Sequence, residues 1–155
     1  MVKKVKDQNL TKIKKVVEEL LKNLEVEAEI EISKAEDLYQ VKLETNDPGI
    51  LIGYHGETLR AIQRMTAMIV YRQTGEWSRI VVDVGDYRQR RQETLEKMAL
   101  VAAQKARFSK EEQVLPPMPS SERRIIHMAL AKETDVETVS EGEGRNRYVV
   151  VRPKP

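Results

Sequence analysis

Two short stretches of this sequence combine residue types able to bind an anion. In the first, Gly53-Tyr54-His55-Gly56, two glycines flank two larger residues. Glycine lacks a Cβ, so the chain there can turn sharply and lie close against another molecule. Leu59, Ile62, Thr66 and Ile69 then recur at helical spacing over residues 57–73. A bare turn ahead of a helix presents unpaired main-chain N–H groups, and their natural ligand is a phosphate. Taken alone, the spacing favours a plain corner whose glycines only relieve strain. In the second stretch, Ser121-Glu122-Arg123-Arg124-Ile125-Ile126-His127, Arg123 and His127 stand four apart and share one helix face. A planar guanidinium fork beside a ring donor suits a phosphate. The plain alternative is a core-facing histidine bonded to the main chain, with Ile125, Ile126 and Met128 filling buried positions around it.

Catalytic chemistry finds little support. His55 and His127 are the only histidines and cysteine is absent, which removes thiolate metal sites and disulfides. No serine or lysine motif completes a nucleophilic site, and no G-x-x-x-x-G-K-[ST] occurs. Glu25, Glu27, Glu29 and Glu31 fall on one strand face and read as a solvated stripe rather than a cation site. Glu57 and Asp86 have no visible carboxylate partner. The reading is a non-enzymatic protein with no cofactor and no metal. Tyr71 and Trp77 could stack on bases, but Trp77 lies beside a turn, and a structural role is favoured for it.

These residues need elements to position them. Asn9 is a plausible cap for a first helix carrying Leu10, Ile13, Val17, Leu20 and Leu24 on one side, with residues 1–8 frayed. Val26, Ala28, Ile30 and Ile32 alternate with the glutamates in a first strand. Residues 33–37 read as a turn, and Tyr39, Val41 and Leu43 as a second strand. Asn46-Asp47-Pro48-Gly49 breaks it. A short apolar turn over Ile50 to Ile52 leads to the glycines and the long helix, and Ile80, Val82 and Val84 form a third strand. This order predicts a three-stranded sheet packed by helices over residues 9–86. A second small unit, residues 87–152, follows. Its first helix turns Leu95, Met98, Ala99, Ala102 and Ala106 inward and leaves Arg88, Arg90, Arg91, Lys97 and Lys105 outside. Pro116, Pro117 and Pro119 halt a short extended piece at Val114-Leu115. Ser120 or Ser121 can cap a helix over residues 122–131, and strands at 136–140 and 148–151 are joined by a glycine-bearing hairpin loop. The fold class is α+β throughout.

The net charge of +2 is unevenly spread: residues 48–110 hold 11 basic and 6 acidic residues, while residues 1–47 hold 9 and 11. The positive excess begins at the glycines, which favours a polyanionic partner. No apolar run of transmembrane length occurs, and no apolar signal core follows the basic N-terminus, so no membrane insertion and a cytoplasmic location are expected.

In context both stretches resemble known modules. Ile52 to Leu59, set between a strand and a helix, resembles the G-x-x-G loop of a K-homology (KH) domain of the helix-first, prokaryotic type II topology. Such loops clamp the backbone of about four unpaired nucleotides beside a hydrophobic groove that receives the bases. The resemblance implies Gly53, Tyr54, His55 and Gly56 as the clamp, the start of the following helix as the phosphate-facing end, and Ile50, Leu51, Leu59 and Ile62 as residues shared between groove and core. The family often places lysine or arginine at the two middle positions; here they are Tyr54 and His55, so phosphate contacts would rest on main-chain N–H groups and on Arg60 or Arg64. Arg123 and His127, with the preceding Leu115-Pro116-Pro117-Met118-Pro119 and the final hairpin, resemble the small Arg-x-x-x-His domain that binds single-stranded nucleic acid. A KH unit followed directly by this domain is the order of the Jag family (SpoIIIJ-associated, KhpB/EloR RNA-binding proteins), and the resemblance covers roughly residues 9–152. Many members carry a separate N-terminal domain, whereas this chain begins almost at the KH helix, so the resemblance does not carry over functions tied to that domain. The expected partner is single-stranded RNA, shared by the two units, with a post-transcriptional or RNA-chaperone-type role. Single-stranded DNA, or a protein partner bound as an adaptor, is the alternative.

Overall fold

A computed structural model describes residues 8–155, and the chain divides into two units after Tyr87. The fraying expected of residues 1–7 lies outside the described residues.

In the first unit, α1 (Gln8–Asn23) precedes β1 (Glu29–Ala35), β2 (Leu38–Glu44), α2 (Pro48–Ile52), α3 (Glu57–Thr74) and β3 (Arg79–Val84). The sheet runs β1-β2-β3, with β1 antiparallel to β2 and β3 parallel to it. Period-two alternation buries Tyr39, Val41 and Leu43 of β2 and Ile80, Val82 and Val84 of β3. Ile13, Val17 and Leu21 of α1 join Leu59, Ile62 and Val70 of α3 in the same core. Glu29 and Glu31 are exposed, as a solvated stripe requires.

Four local readings change. Asn9 lies inside α1, not at its cap. Val26 is not in a strand: its N–H donates to Leu21 O (3.1 Å) and that of Glu25 to Lys22 O (3.1 Å), closing α1 through Glu25 at φ +55°. This is the helix-ending pattern usually built on glycine. Ser33 to Ala35 are strand, because the pairing of Ala35 with Leu38 leaves Glu36-Asp37 as a two-residue turn with Glu36 at φ +53°. The apolar turn before the glycines is helical, with Pro48 in its first turn and Gly53 N–H closing it on Gly49 O (2.9 Å).

The outer edge of β3 is covered from within the unit. The Val82 N–H donates to Gln63 Oε1 of α3 (3.0 Å), and the Val84 N–H to Asp83 Oδ1 (2.9 Å).

The second unit holds α4 (Tyr87–Ser109, from Arg88 onward), β4 (Gln113–Val114), α5 (Ser120–Ala129), β5 (Val136–Glu141) and β6 (Tyr148–Pro153). Its sheet is β4-β6-β5, with β6 central and antiparallel to both neighbours. Leu95 and four alanines of α4 pack with Leu115, Met118, Ile126, Leu130 and with Val149 and Val151 of β6. Arg91 is not outside as expected. Its Nε and Nη2 donate to Oε1 and Oε2 of Glu122 on α5, both at 2.9 Å, and the two side chains are only 18% and 7% exposed. Neither Ser120 nor Ser121 caps α5; Pro119 holds that position with no side-chain cap bond. Ile126 is buried and Ile125 half-buried, but Met128 is exposed.

Candidate nucleic-acid interface

The glycine turn is fixed by backbone that other residues resist. Gly53 sits at φ +68°, ψ −170°, a region open essentially to glycine alone. A Cβ there would lie 2.1 Å from Thr58 Oγ1 and 3.0 Å from Thr58 N. Tyr54 to Gly56 form one tight turn, in which His55 is left-handed at φ +49°, ψ +32°, a conformation histidine enters more readily than most side chains. Gly56, at φ +78°, precedes α3, and a Cβ on it would stand 3.0 Å from the Tyr87 ring and 3.4 Å from Arg60 Nη1. Gly56 is therefore buried, Gly53 and His55 half-buried, and Tyr54 exposed. The accessible main chain is at Gly53, while Gly56 makes room for Tyr87, a residue sequence reasoning did not connect with the turn.

The cations expected nearby are differently placed. Arg60 Nη1 donates to His55 O (2.9 Å) and so braces the turn. Arg64, one turn further along α3, is exposed. Glu57, exposed in the first turn of α3, sets a carboxylate of the chain's own at that helix end. The Tyr54 and His55 rings stack, centroids 4.0 Å apart. Of the groove residues, Leu51, Leu59 and Ile62 are buried in the core and Ile50 is exposed. Trp77 and Tyr71 are exposed, with their ring centroids 5.7 Å apart.

In the second unit Arg123 and His127 converge on β5. Thr138 and Ser140 are two apart and share a face of that strand. His127 Nδ1 lies 2.7 Å from Thr138 Oγ1, and its Nε2 lies 2.8 Å from Ser140 Oγ. Arg123 Nη1 donates to Ser140 Oγ (3.1 Å) and its Nε to Met118 O (3.3 Å). Burial pushes the His127 imidazole below the ordinary histidine range, and the charge of Arg123 pushes it the same way. A neutral ring donates through one nitrogen and accepts through the other, so each hydroxyl partner must complement it. All four residues are half-buried. The pair thus holds α5 to β5 and still presents an edge to solvent. The hydroxyls were missed because strand residues two apart carry no mark of the helix they will face. Arg124, Arg145 and Arg147 are exposed on this unit, whereas Arg107 is held by Glu133 and Asp135.

Among the described residues no cluster of histidine and carboxylate side chains could hold a metal ion, and no helix is long and apolar enough to cross a membrane.

Comparison with known proteins gives both units a family. Residues 11–84 match the KhpA/KhpB KH domain. Residues 93–153 match the R-3-H domain, named for an arginine and a histidine separated by three residues. The RNA-binding protein KhpB of Clostridium symbiosum is 38% identical over 132 residues, covering 85% of this chain and 60% of that protein. KhpB of Bacillus subtilis is 39% identical over 107 residues, covering 68% and 51%. KhpB of Streptococcus pneumoniae strain D39 is 31% identical over 145 residues, covering 94% and 44%. The chain spans about half the length of the curated relatives it matches. With a KH domain directly followed by an Arg-x-x-x-His domain and this similarity to the relatives named KhpB, the chain belongs to the KhpB (Jag) family.

Proposed function

We propose that this chain binds single-stranded RNA, as a binding protein rather than a catalyst, and acts in post-transcriptional control. The observation that carries the reading is the turn at Gly53. Its backbone is one that only glycine adopts, its main chain is partly open, and an exposed aromatic residue follows it directly. Bare main chain can approach a sugar-phosphate more closely than any side-chain-bearing segment. The names of the relatives support RNA as the ligand. In the second unit the solvent edge of Arg123 and His127, with Arg124, Arg145 and Arg147 exposed, supports a further phosphate contact. Phosphate neutralisation releases counterions, so affinity should fall as salt rises.

Replacing Tyr54 and His55 together by aspartate tests this. Aspartate tolerates the left-handed backbone of position 55, so the turn is kept while two negative charges meet the strand. Anisotropy with single-stranded RNA, single-stranded DNA and duplex should show RNA bound best by the wild type and weakly by the variant. Equal affinity of both proteins for RNA would remove the turn from the interface, and preference for DNA would change the ligand.

A further inference from the structure

The two residues between the glycines are both aromatic, and their rings lie nearly parallel, centroids 4.0 Å apart and planes 15° from each other. Adjacent side chains on regular backbone point apart; these two meet because the left-handed conformation of His55 swings its ring back beside that of Tyr54. The imidazole is the inner member. Among the described residues its enclosed Nδ1 has no hydrogen-bond partner, and its ring lies against that of Tyr54. Tyr54 is the outer member and is 71% exposed, one face on the imidazole and the rest open. The turn contains no lysine or arginine, and Arg60, one turn along α3, already has Nη1 committed to the His55 carbonyl.

A flat surface, ordered in advance and set beside bare main chain, fits a flat ligand better than it fits a charge. We propose that Tyr54, backed by His55, is a stacking site for one unpaired nucleobase of the bound strand. The proposal rests on the RNA-binding reading and deepens it. Every base offers a π-face, so the site accepts any base identity and contributes affinity without sequence choice. Because His55 already limits the freedom of the Tyr54 ring, less is lost when the base arrives. The turn thus trades the cation–phosphate contact common in KH loops for a base contact that salt does not screen.

The test uses the full chain and a short single-stranded RNA, with anisotropy read at two salt concentrations. Tyr54→Ala should weaken binding about 5- to 150-fold, the range one base–aromatic stack supplies, with an unchanged salt slope. Tyr54→Trp should retain wild-type affinity. His55→Asn, which tolerates the same backbone, should show a smaller loss with the same slope. A single 2-aminopurine walked along the RNA should be quenched at one position by the wild type and Tyr54→Trp but not by Tyr54→Ala. The proposal is overturned if Tyr54→Ala binds like the wild type, if its loss comes with a shallower salt slope, or if no probe position depends on Tyr54. A wild type that binds RNA without these signatures leaves the RNA-binding reading standing; one that binds no RNA removes both.

Discussion

Gly53→Ala separates backbone strain from steric contact at the turn. The added methyl would stand 2.1 Å from Thr58 Oγ1, 2.8 Å from Thr58 Cβ and 3.0 Å from Thr58 N. Rotation about χ1 of Thr58 can move Oγ1 but leaves Cβ and the main-chain nitrogen where they are, so the contact is not relieved by a rotamer change. A non-glycine residue held in this region costs about 1–3 kcal/mol, and overpacking of a tight contact costs a similar 1–3 kcal/mol. Together they predict a loss of about 2–6 kcal/mol, a large share of the roughly 5–15 kcal/mol typical of a folded domain. With a urea slope near 1 kcal/mol/M, the first unit's midpoint should fall by about 2 M or more. Gly49→Ala is the control: a Cβ there meets nothing within 4 Å among the described residues, and inside α2 alanine should be neutral or stabilising by about 0.5–1 kcal/mol. Adding Thr58→Ala to Gly53→Ala removes the Oγ1 contact but leaves Cβ, the main-chain nitrogen and the φ, so rescue should be partial. Urea unfolding followed by circular dichroism reads all four proteins. An unchanged midpoint for Gly53→Ala refutes the argument, and full rescue by Thr58→Ala refutes its strain component.

Three further expectations concern the second unit. Arg91→Met strands the Glu122 carboxylate among apolar groups and should cost about 3 kcal/mol, whereas the double variant with Glu122→Leu should return close to wild type; equal losses for both would show that the ion pair does not lock α4 to α5. The native fold lowers the affinity of His127 for a proton while the unfolded chain keeps the ordinary value. Stability of this unit is therefore full above the ordinary histidine range and falls as pH drops below it toward the lower native value. Urea midpoints measured from pH 7.5 to 5 should show that decline and lose part of it in His127→Gln, while an NMR titration of the ring at or above the ordinary range would contradict the assignment. Arg123→Ala should lower the log–log salt slope of RNA binding by about 0.7 if that guanidinium neutralises one phosphate; an unchanged slope and affinity would confine Arg123 to bonding Ser140 and Met118.

Much of this architecture was legible because its cause is periodic. Alternation in Tyr39, Val41 and Leu43, and again in Ile80, Val82 and Val84, survives as buried faces of β2 and β3. The glycines of the turn were visible as types, and their positive φ values explain why those types stand there. What escaped was fixed by partners distant in sequence or by rare conformations of common residues. Glu25 ends α1 and Glu36 turns the β1–β2 hairpin in left-handed backbone with no glycine to announce it. Arg91 resembled every other arginine on its helix until Glu122, 31 residues on, took up its fork. Gly56 read as main chain open to a ligand, but the Tyr87 ring lies against it. Ile50 alone of the four groove residues reaches the surface, because helical phase turns Leu51, Leu59 and Ile62 to the sheet.

With Gln63 and Asp83 occupying the amides of Val82 and Val84, β3 offers a newcomer a row of donors already spoken for. Another strand could add there only by evicting both side chains and replacing bonds that cost nothing in chain association. Growth of the sheet past three strands is thus discouraged on that flank, and a protein held at high local concentration is guarded there against the edge-to-edge zippering that open sheets invite.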